Sequence, residues 1–528
     1  MSDPRTSRQD QALGHHDVVR ETPLPWAKLA VLMAVRLAEP IGMTLILPFM
    51  YQMVGGFDIV RDPKDISLYA SLLLTSFSIC KAATVMYWGT LSDRIGRRPV
   101  ILIGLLGNLL TFVLFGVSKS FAWALVARSL NGLFTGNSVV IKSVVAEISD
   151  DTNRSRMMAM LPLMWNVGSM LGGAVGGVFV NPVEKYPWLF GNSILFREYP
   201  YLLPCLVGSI SSIFGLVVGF FQLEETLEPK PRAINTSTAN GPASETTPLI
   251  SEAQSEEGTS QTAQKAEPRS KWDILTPTVI RVLITSTIMC FATTMHSQLY
   301  PIFMATSVAD GGLGMDAQGI GYTFTICGLL VVYLQLAFYP KLERRYGALA
   351  CYRRGLWLLA IFSITFPLLS VFAKHMGDSV EHLLGFGITK LISPELCLFW
   401  VLLVVQLYIR TFGDILAFTS VNLLVANIAP RKTSLGFMNG LQQQAASITY
   451  ILGPLVSGYL WSWSIKHSFP YPFNSHLVWV LGGLSLAVAW YMTRSIPDSV
   501  NVFASGSSEQ SCTTSGDESD NTSSEVSR

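Results

Sequence analysis

Charged side chains interrupt several long apolar stretches of this sequence, and they offer the clearest chemistry. The first stretch contains Arg36 and Glu39, which are three positions apart and share one face of a helix. The second stretch contains Lys81 near its middle. An ion pair between Glu39 and either cation would be the least costly way to bury these charges, which is a purely structural interpretation. The functional interpretation is that Glu39 binds and releases a proton as its surroundings change.

Three further charges lie inside later apolar stretches. Arg128 is an intramembrane cation, which is costly and therefore functional by default, unless its side chain snorkels to the membrane interface. Arg410 and Asp414 are four positions apart and could satisfy each other's charge. The predicted residues of proton coupling and of the charged cavity are Arg36, Glu39, Lys81, Arg128, Arg410 and Asp414.

Uncharged polar and aromatic residues in the apolar stretches are candidates for a substrate cavity. His296 could titrate near neutral pH, and a hydrogen-bonded structural role is an equal alternative. A mostly apolar pocket with a few polar groups suits a moderately hydrophobic organic substrate. The predicted cavity residues are Asn137, Trp165, Asn166, His296, Gln298 and Gln335.

The composition is that of a protein embedded in a membrane. Of the 528 residues, 50% are hydrophobic and 14% are charged, whereas a soluble protein carries about 25% charged residues. Apolar runs long enough to cross a bilayer, about 20 residues each, recur along the chain. The net charge of +1 gives no indication of a nucleic-acid partner. The absence of a G-x-x-x-x-G-K-[ST] fingerprint argues against an ATP-driven pump. We expect no enzyme activity, no metal site and no cofactor.

Twelve apolar runs fall into two sets of six, at 26–222 and 278–494. The polar segments 1–25, 223–277 and 495–528 are predicted to be disordered tails and a disordered linker. The predicted fold is an all-α membrane protein with 12 transmembrane helices, arranged as two six-helix bundles related by pseudo-twofold symmetry. The substrate path is expected between the bundles at mid-membrane.

Lys and Arg in the short loops predict the orientation of the chain. The loops at 91–98, 150–156, 341–354 and 430–432 contain twelve of them, whereas the short loops on the other side contain six. The first set is therefore predicted to be cytoplasmic, together with both termini and the linker.

The segment 89–98 reads GTLSDRIGRR and separates the second apolar run from the third. Its glycines allow tight turns and close helix approach, its acid is expected to pair with an Arg, and its basic residues hold the loop inside. A charge cluster that only stops membrane insertion is the structural alternative. The candidate functional residues of this segment are Gly89, Asp93, Arg94, Gly96, Arg97 and Arg98.

This segment resembles the signature loop of the major facilitator superfamily. Residues 125–132, LVARSLNG, resemble that family's fourth-span motif, and the glycines from Gly168 to Gly177 resemble its fifth-span antiporter motif, without the usual proline. The stretch RLAEPI at 36–41 and the stretch EETL at 224–227 resemble the fungal and plant zinc-induced-facilitator-like branch of the drug:proton antiporter group. In the second half, LERRYG at 342–347 resembles the signature loop with Arg344 in the place of the acid.

The resemblance implies a proton-coupled secondary transporter of a small organic solute, drug or metal chelate. In that family the signature loop is a cytoplasmic gate whose Asp stabilises the outward-open state, and the fourth-span Arg is implicated in proton coupling. The alternative is a non-transporting sensor or lipid-handling protein on the same fold. We expect a monomer in the plasma or vacuolar membrane, with protons, a small-molecule substrate and the lipid bilayer as partners. The linker sequence ETTPLI resembles a sorting signal, with possible adaptor contacts at Glu245, Leu249 and Ile250.

Overall fold

The computed structural model describes residues 22–150, 153–226, 275–375, 394–428, 435–467, 470 and 473–501. Most of both predicted tails, almost all of the linker and the sorting sequence at 245–250 lie outside these residues. The described chain is helical, and its long helices are numbered here as spans 1 to 12 in chain order.

The first six spans form one bundle. Span 1 comprises Trp26–Thr44 and Leu47–Gly55, span 2 is Ile66–Ile95, span 3 is Arg97–Gly116, span 4 comprises Phe121–Phe134 and Asn137–Ile148, span 5 is Arg154–Val178, and span 6 is Leu202–Gln222. Three short helices, Pro182–Lys185, Pro187–Phe190 and Ile194–Glu198, connect spans 5 and 6, and the turn Pro63–Asp65 precedes span 2.

The second bundle repeats this plan. Span 7 is Pro277–Ala305, span 8 runs through Ala317–Tyr333, Leu334–Phe338 and Tyr339–Tyr346, span 9 comprises Ala348–Thr365 and Leu368–His375, span 10 is Pro394–Ile428, span 11 is Leu435–His467, and span 12 is Leu477–Thr493. A short turn, Asp498–Val500, follows. By length and composition alone, eight of the described helices, spans 1 to 3 and 6 to 10, qualify as membrane-crossing.

Alternating span directions give the molecule two membrane faces. The terminal face contains residues 22–25, the segment 89–98 and residues 494–501, and the opposite face contains residues 56–65, 179–201 and 306–316.

The apolar core differs between these faces. One large cluster joins both bundles near the opposite face, where Leu45 and Phe49 share it with Phe303 and Trp461. Two other clusters lie nearer the terminal face, and each stays within its own bundle. Among the described residues, the halves are therefore packed together on the opposite face and apart on the terminal face.

Several spans are interrupted close to mid-membrane. Span 1 bends after Pro40 and Thr44, span 4 breaks at Thr135 and Gly136, and span 8 contains a π-helical turn at Leu334–Phe338. π-helical turns inside α-helices occur frequently at functional sites. Broken helices at membrane depth are tolerated where they line a cavity or are buried in protein.

Candidate substrate and proton site

Glu39 is held between two cations inside the first bundle. Its Oε2 atom pairs with Arg36 Nη1, and its Oε1 atom lies 2.7 Å from Lys81 Nζ. The i,i+3 spacing brings Arg36 and Glu39 to one face of span 1, and the packing of span 2 adds Lys81. The Glu39 side chain is 7% exposed, whereas the Lys81 side chain is 25% exposed. Both predicted partners therefore bind Glu39 at once.

Side chains of span 5 extend this cluster toward the second bundle. The Arg36 guanidinium lies 5.4 Å from the ring centre of Trp165. The next residue, Asn166, donates a hydrogen bond of 2.8 Å to Gln335 Oε1, which lies on the π-helical turn of span 8. At about 1.5 Å per helical residue, Glu39 and Asn166 both lie roughly 20 Å from the terminal face. Three of the predicted cavity residues, Trp165, Asn166 and Gln335, thus lie near mid-membrane. The bond between Asn166 and Gln335 joins the two halves.

Arg128 lies deeper in the first bundle and does not snorkel to an interface. Arg128 is 2% exposed. Its Nη1 atom donates to Asn131 Oδ1 at 3.1 Å and to the Gly42 carbonyl at 3.4 Å. Its guanidinium lies 4.3 Å from the ring centre of Phe77. No carboxylate of the described chain lies within ion-pair distance of it. Arg128 is thus a buried cation held by dipoles and an aromatic ring.

The second bundle contains a looser charged pair. Arg410 Nε lies 3.7 Å from Asp414 Oδ2, and Arg410 Nη2 donates a 3.0 Å hydrogen bond to Ser297. The Arg410 guanidinium lies 4.8 Å from the ring centre of Tyr300. The two charged side chains are 15% and 33% exposed.

Three predicted cavity residues are buried in this conformation. His296 stacks on Trp479 of span 12 at 5.2 Å between ring centres and also contacts Phe362 of span 9, and it is 3% exposed. Gln298 is 7% exposed. Asn137 donates to the Ile101 carbonyl at 3.1 Å and lines a small cavity that also contacts Glu39.

The predicted gating loop is shorter than its sequence suggests. Span 2 continues to Ile95, so Gly89 and Asp93 are helical and only Gly96, with a φ of 107°, separates spans 2 and 3. Asp93 lies 2.5 Å from Arg97, which also lies 2.9 Å from Glu147 at the end of span 4. The Asp93 side chain is 61% exposed. Arg94 is exposed as well.

The chain that leaves span 6 caps the start of span 3. Glu225 accepts hydrogen bonds from the backbone N–H groups of Arg97, at 2.8 Å, and Arg98, at 3.1 Å. A carboxylate at this position satisfies N–H groups that a helix start leaves without partners, and it complements the helix dipole. All contacts of the gating loop described here lie within the first bundle.

Polar and backbone contacts close the opposite face. Asp65 at the start of span 2 lies 2.6 Å from Lys466 of span 11 and accepts a 2.9 Å hydrogen bond from Ser462. Lys185 lies 3.8 Å from Asp316; burial lowers the pKa of Lys185, and the carboxylate partly opposes that effect. Every ion pair that the described residues form between the halves lies on this face. The conformation is open to the terminal face.

Lys142 belongs to the site but was not among the predicted residues. It lies on the second helix of span 4, its side chain is exposed, and its charge interacts with those of Arg36, Glu39 and Lys81. Like Lys81, it is a basic residue in an apolar run, so the same sequence signal would have found it. Within the described ranges, no group of three or more His, Cys, Asp or Glu side chains is arranged to hold a metal ion.

Two six-helix bundles with a polar site between them, closed on one face and open on the other, define an alternating-access membrane transporter. The Major Facilitator Superfamily profile matches residues 32–388, and the chain belongs to that superfamily.

Relatives extend over most of the chain. It is 28% identical over 524 residues to the multidrug transporter mfsB of Aspergillus fumigatus, covering 88% of this chain and 82% of that protein. It is 30% identical to the major facilitator-type transporter psiT2 of Psilocybe cyanescens, covering 89% and 90%. It is 25% identical to the Arabidopsis thaliana protein ZINC INDUCED FACILITATOR 1, covering 89% and 93%. The predicted superfamily and branch are confirmed, and the chain is a secondary membrane transporter.

Solved structures share the fold. The human organic anion transporter MFSD10 superposes with a TM-score of 0.52 at 17% identity, covering 89% of this chain and all of that chain. The POT family transporter PepTSo superposes with a TM-score of 0.60 at 12% identity, covering 91% and 99%. The predicted all-α fold of 12 transmembrane helices is thereby confirmed.

Proposed function

We propose that this chain couples the movement of a small organic solute to the movement of protons, with Glu39 as the proton-binding group. The observation that carries the proposal is the position of Glu39, a buried carboxylate bound by both Arg36 and Lys81. Intramembrane acids of this kind mark proton relays in transporters. Lys81 is partly exposed, which gives the cluster contact with the space between the halves.

The proposed coupling step is a proton transfer at one carboxylate. When Glu39 takes up a proton, its attraction for Arg36 and Lys81 falls, and the two cations are free to pair with another anion or to move apart. Release of the proton restores the arrangement seen here. A ligand or proton shifts such an equilibrium only by its differential affinity for the two conformations, and the ion pairs supply that difference.

The terminal face is proposed to be the cytoplasmic face, because the basic short loops lie there. Names of relatives, including the efflux pump azaK of Aspergillus niger and the multidrug transporter mfsB, support export of the solute from the cytoplasm. The membrane is proposed to be the plasma or vacuolar membrane, where sorting adaptors would bind Glu245, Leu249 and Ile250 of the linker. The transporter is proposed to act as a monomer.

Flux in vesicles tests this proposal. The full-length protein is reconstituted into liposomes, and uptake of benzoate, rhodamine 6G and ferric citrate is measured with and without an imposed pH gradient. For whichever compound is transported, Glu39→Gln should abolish accumulation driven by the pH gradient while exchange of the compound across the membrane continues. Glu395→Gln is the matched control, because Glu395 is exposed at the start of span 10.

Two outcomes would contradict the proposal. Full gradient-driven accumulation by Glu39→Gln would exclude Glu39 as the proton site. Equal accumulation with and without the gradient by the unmodified protein would show uncoupled transport.

A further inference from the structure

The open side of the site has a surplus of positive charge. Arg36, Lys81 and Lys142 surround Glu39, so three cations share one acid. Both oxygens of that acid are already occupied, Oε2 by Arg36 and Oε1 by Lys81. The cluster therefore carries an excess of two positive charges, before the buried Arg128 is counted. In the second bundle, by contrast, Arg410 and Asp414 balance each other.

Lys142 is the member of the cluster that other protein groups satisfy least. The residues around it on the same helix, Val140, Ile141, Val144 and Val145, are buried, whereas Lys142 is exposed. No carboxylate in the described part of the chain lies within ion-pair distance of its ammonium group.

The acid nearest in sequence to Lys142 is already engaged. Glu147 lies 2.9 Å from Arg97 and accepts a 2.5 Å hydrogen bond from Thr226. It therefore belongs to the gating loop, and the charge of Lys142 remains available to a ligand.

The position of Lys142 matches a path for an incoming solute. It lies six residues before the end of span 4 at Ile148, or about 9 Å from the terminal face, whereas Glu39 lies about 20 Å deep. A solute that enters from the open face would reach Lys142 first, and then the deeper region of Lys81 and of the Trp165 ring beside Arg36. Positive groups along a low-dielectric cleft raise the local concentration of anions.

We propose that the transported solute is an organic anion, with its carboxylate or phosphate bound between Lys142 and Lys81 and its apolar body against Trp165. This inference rests on the proposed function, since it names the substrate class of the same site. An anion would neutralise charge that is costly to leave uncompensated in a partly buried site. A cationic solute would add to the repulsion instead.

Binding to the purified full-length protein tests the charge preference without requiring flux. Benzoate, phenyl phosphate, benzylamine and benzyl alcohol are compared at equal ionic strength by the shift of the apparent unfolding temperature with ligand concentration. Benzoate and phenyl phosphate should stabilise the protein, and benzylamine and benzyl alcohol should not. Inorganic phosphate is measured in the same way. Because it has no aromatic ring, it should bind more weakly than phenyl phosphate if the site recognises an aromatic anion and not any anion.

Three variants test the residues. Lys142→Gln should weaken anion binding by roughly tenfold, since it removes one charge of a partly desolvated pair. Lys142→Arg should keep most of the affinity. Glu39→Gln should strengthen anion binding, because the only acid of the cluster is lost, whereas damage to the fold would weaken it. Lys374→Gln is the matched control, an exposed lysine at the end of span 9.

The proposal is overturned if benzylamine stabilises the protein as strongly as benzoate, or if Lys142→Gln binds phenyl phosphate like the unmodified protein. These results are distinct from a failure of proton coupling, because binding is measured without a gradient. Anion binding that persists in a protein with no gradient-driven transport would support the substrate class and contradict only the coupling.

Discussion

The two bundles have the same architecture but bury charge in different ways. In the first bundle, Glu39 bridges two cations and its side chain is 7% exposed. In the second bundle, Arg410 and Asp414 approach only to 3.7 Å, and Asp414 is 33% exposed. Loss of one partner costs much free energy when a charge is buried and paired with several groups. The cost is small for a pair that is partly exposed. The first bundle is therefore where a single proton can change the energy of the molecule most.

On the terminal face, the two bundles also differ in the charge that caps a helix start. Gly96 and Gly347 both have positive φ values, 107° and 79°, and both precede a new span. In the first bundle the helix start is capped by two hydrogen bonds to the carboxylate of Glu225. In the second bundle it is capped by one hydrogen bond, 2.8 Å from Leu349 N to the neutral Asn501. The geometry is repeated, while the charge is concentrated in the first half.

The largest expected effect comes from removing the buried acids one at a time. Glu39→Ala should lower the free energy of unfolding by about 3–5 kcal/mol, because it leaves two cations unpaired inside the bundle. Asp414→Ala should cost less, about 1 kcal/mol, because that pair is looser, at 3.7 Å, and a third of the Asp414 side chain is exposed. Unfolding in mixed micelles of increasing SDS content measures both. Equal losses in the two variants would refute the contrast between the bundles.

The next effect concerns the glycines that allow the halves to meet on the opposite face. A Cβ atom on Gly177 of span 5 would lie 2.6 Å from Gly321 Cα of span 8, and one on Gly458 of span 11 would lie 2.4 Å from Ser71 Cβ of span 2. Neither contact can be relieved by a side-chain rotation, and overpacking costs about 1–3 kcal/mol. Gly177→Ala and Gly458→Ala should therefore each shift the population away from the closed opposite face.

Spin labels at Ile59 and Phe473, which are exposed on the opposite face of different halves, report this shift as a longer distance. Gly440→Ala is the control, because no atom lies within 4 Å of the added carbon. If neither variant opened this face further than Gly440→Ala does, close approach at these two glycines would not be what holds the halves together.

The smallest expected effect concerns the two helix caps, Glu225 and Asn501. Glu225→Ala should destabilise the protein by about 1–2 kcal/mol and Asn501→Ala by about 1 kcal/mol or less, since the first removes a charged acceptor with two bonds. Glu224→Ala is the control and should change stability by less than about 0.5 kcal/mol, because its bond to Lys28 is exposed. The same micelle titration provides the measurement, and a reversed order of the two caps would contradict the prediction.

Most of the fold could be predicted because its signals are local. Apolar runs of membrane length, polar linkers and the residues of the signature loop are each visible in a few consecutive positions. The end of span 2 was harder, because the charged residues Asp93 and Arg94 continue the helix at the interface and only Gly96 breaks it. The helix start at Arg97 needs an acceptor, and the distant Glu225 supplies it.

The site was only partly predictable. The spacing of Arg36 and Glu39 placed them on one face, but nothing in the sequence showed that Lys81 would bind the same carboxylate. The bond from Asn166 to Gln335 depends on a π-helical turn that no local pattern indicated. His296 shares the polarity of cavity residues but packs against Phe362 and Trp479 of its own bundle, since burial depends on neighbouring spans.

The sequence by itself determined a membrane protein of twelve spans, because hydrophobicity and charge along the chain decide which segments cross a bilayer, and the residues of the signature loop carry its resemblance to a transporter superfamily. Only the tertiary structure decided which charges meet, which face is closed, and which cation is left without an acid. These properties depend on distances between helices that are far apart in sequence. The positive charge of Lys142 is visible in the sequence, but its availability to a ligand follows from how its neighbours are paired.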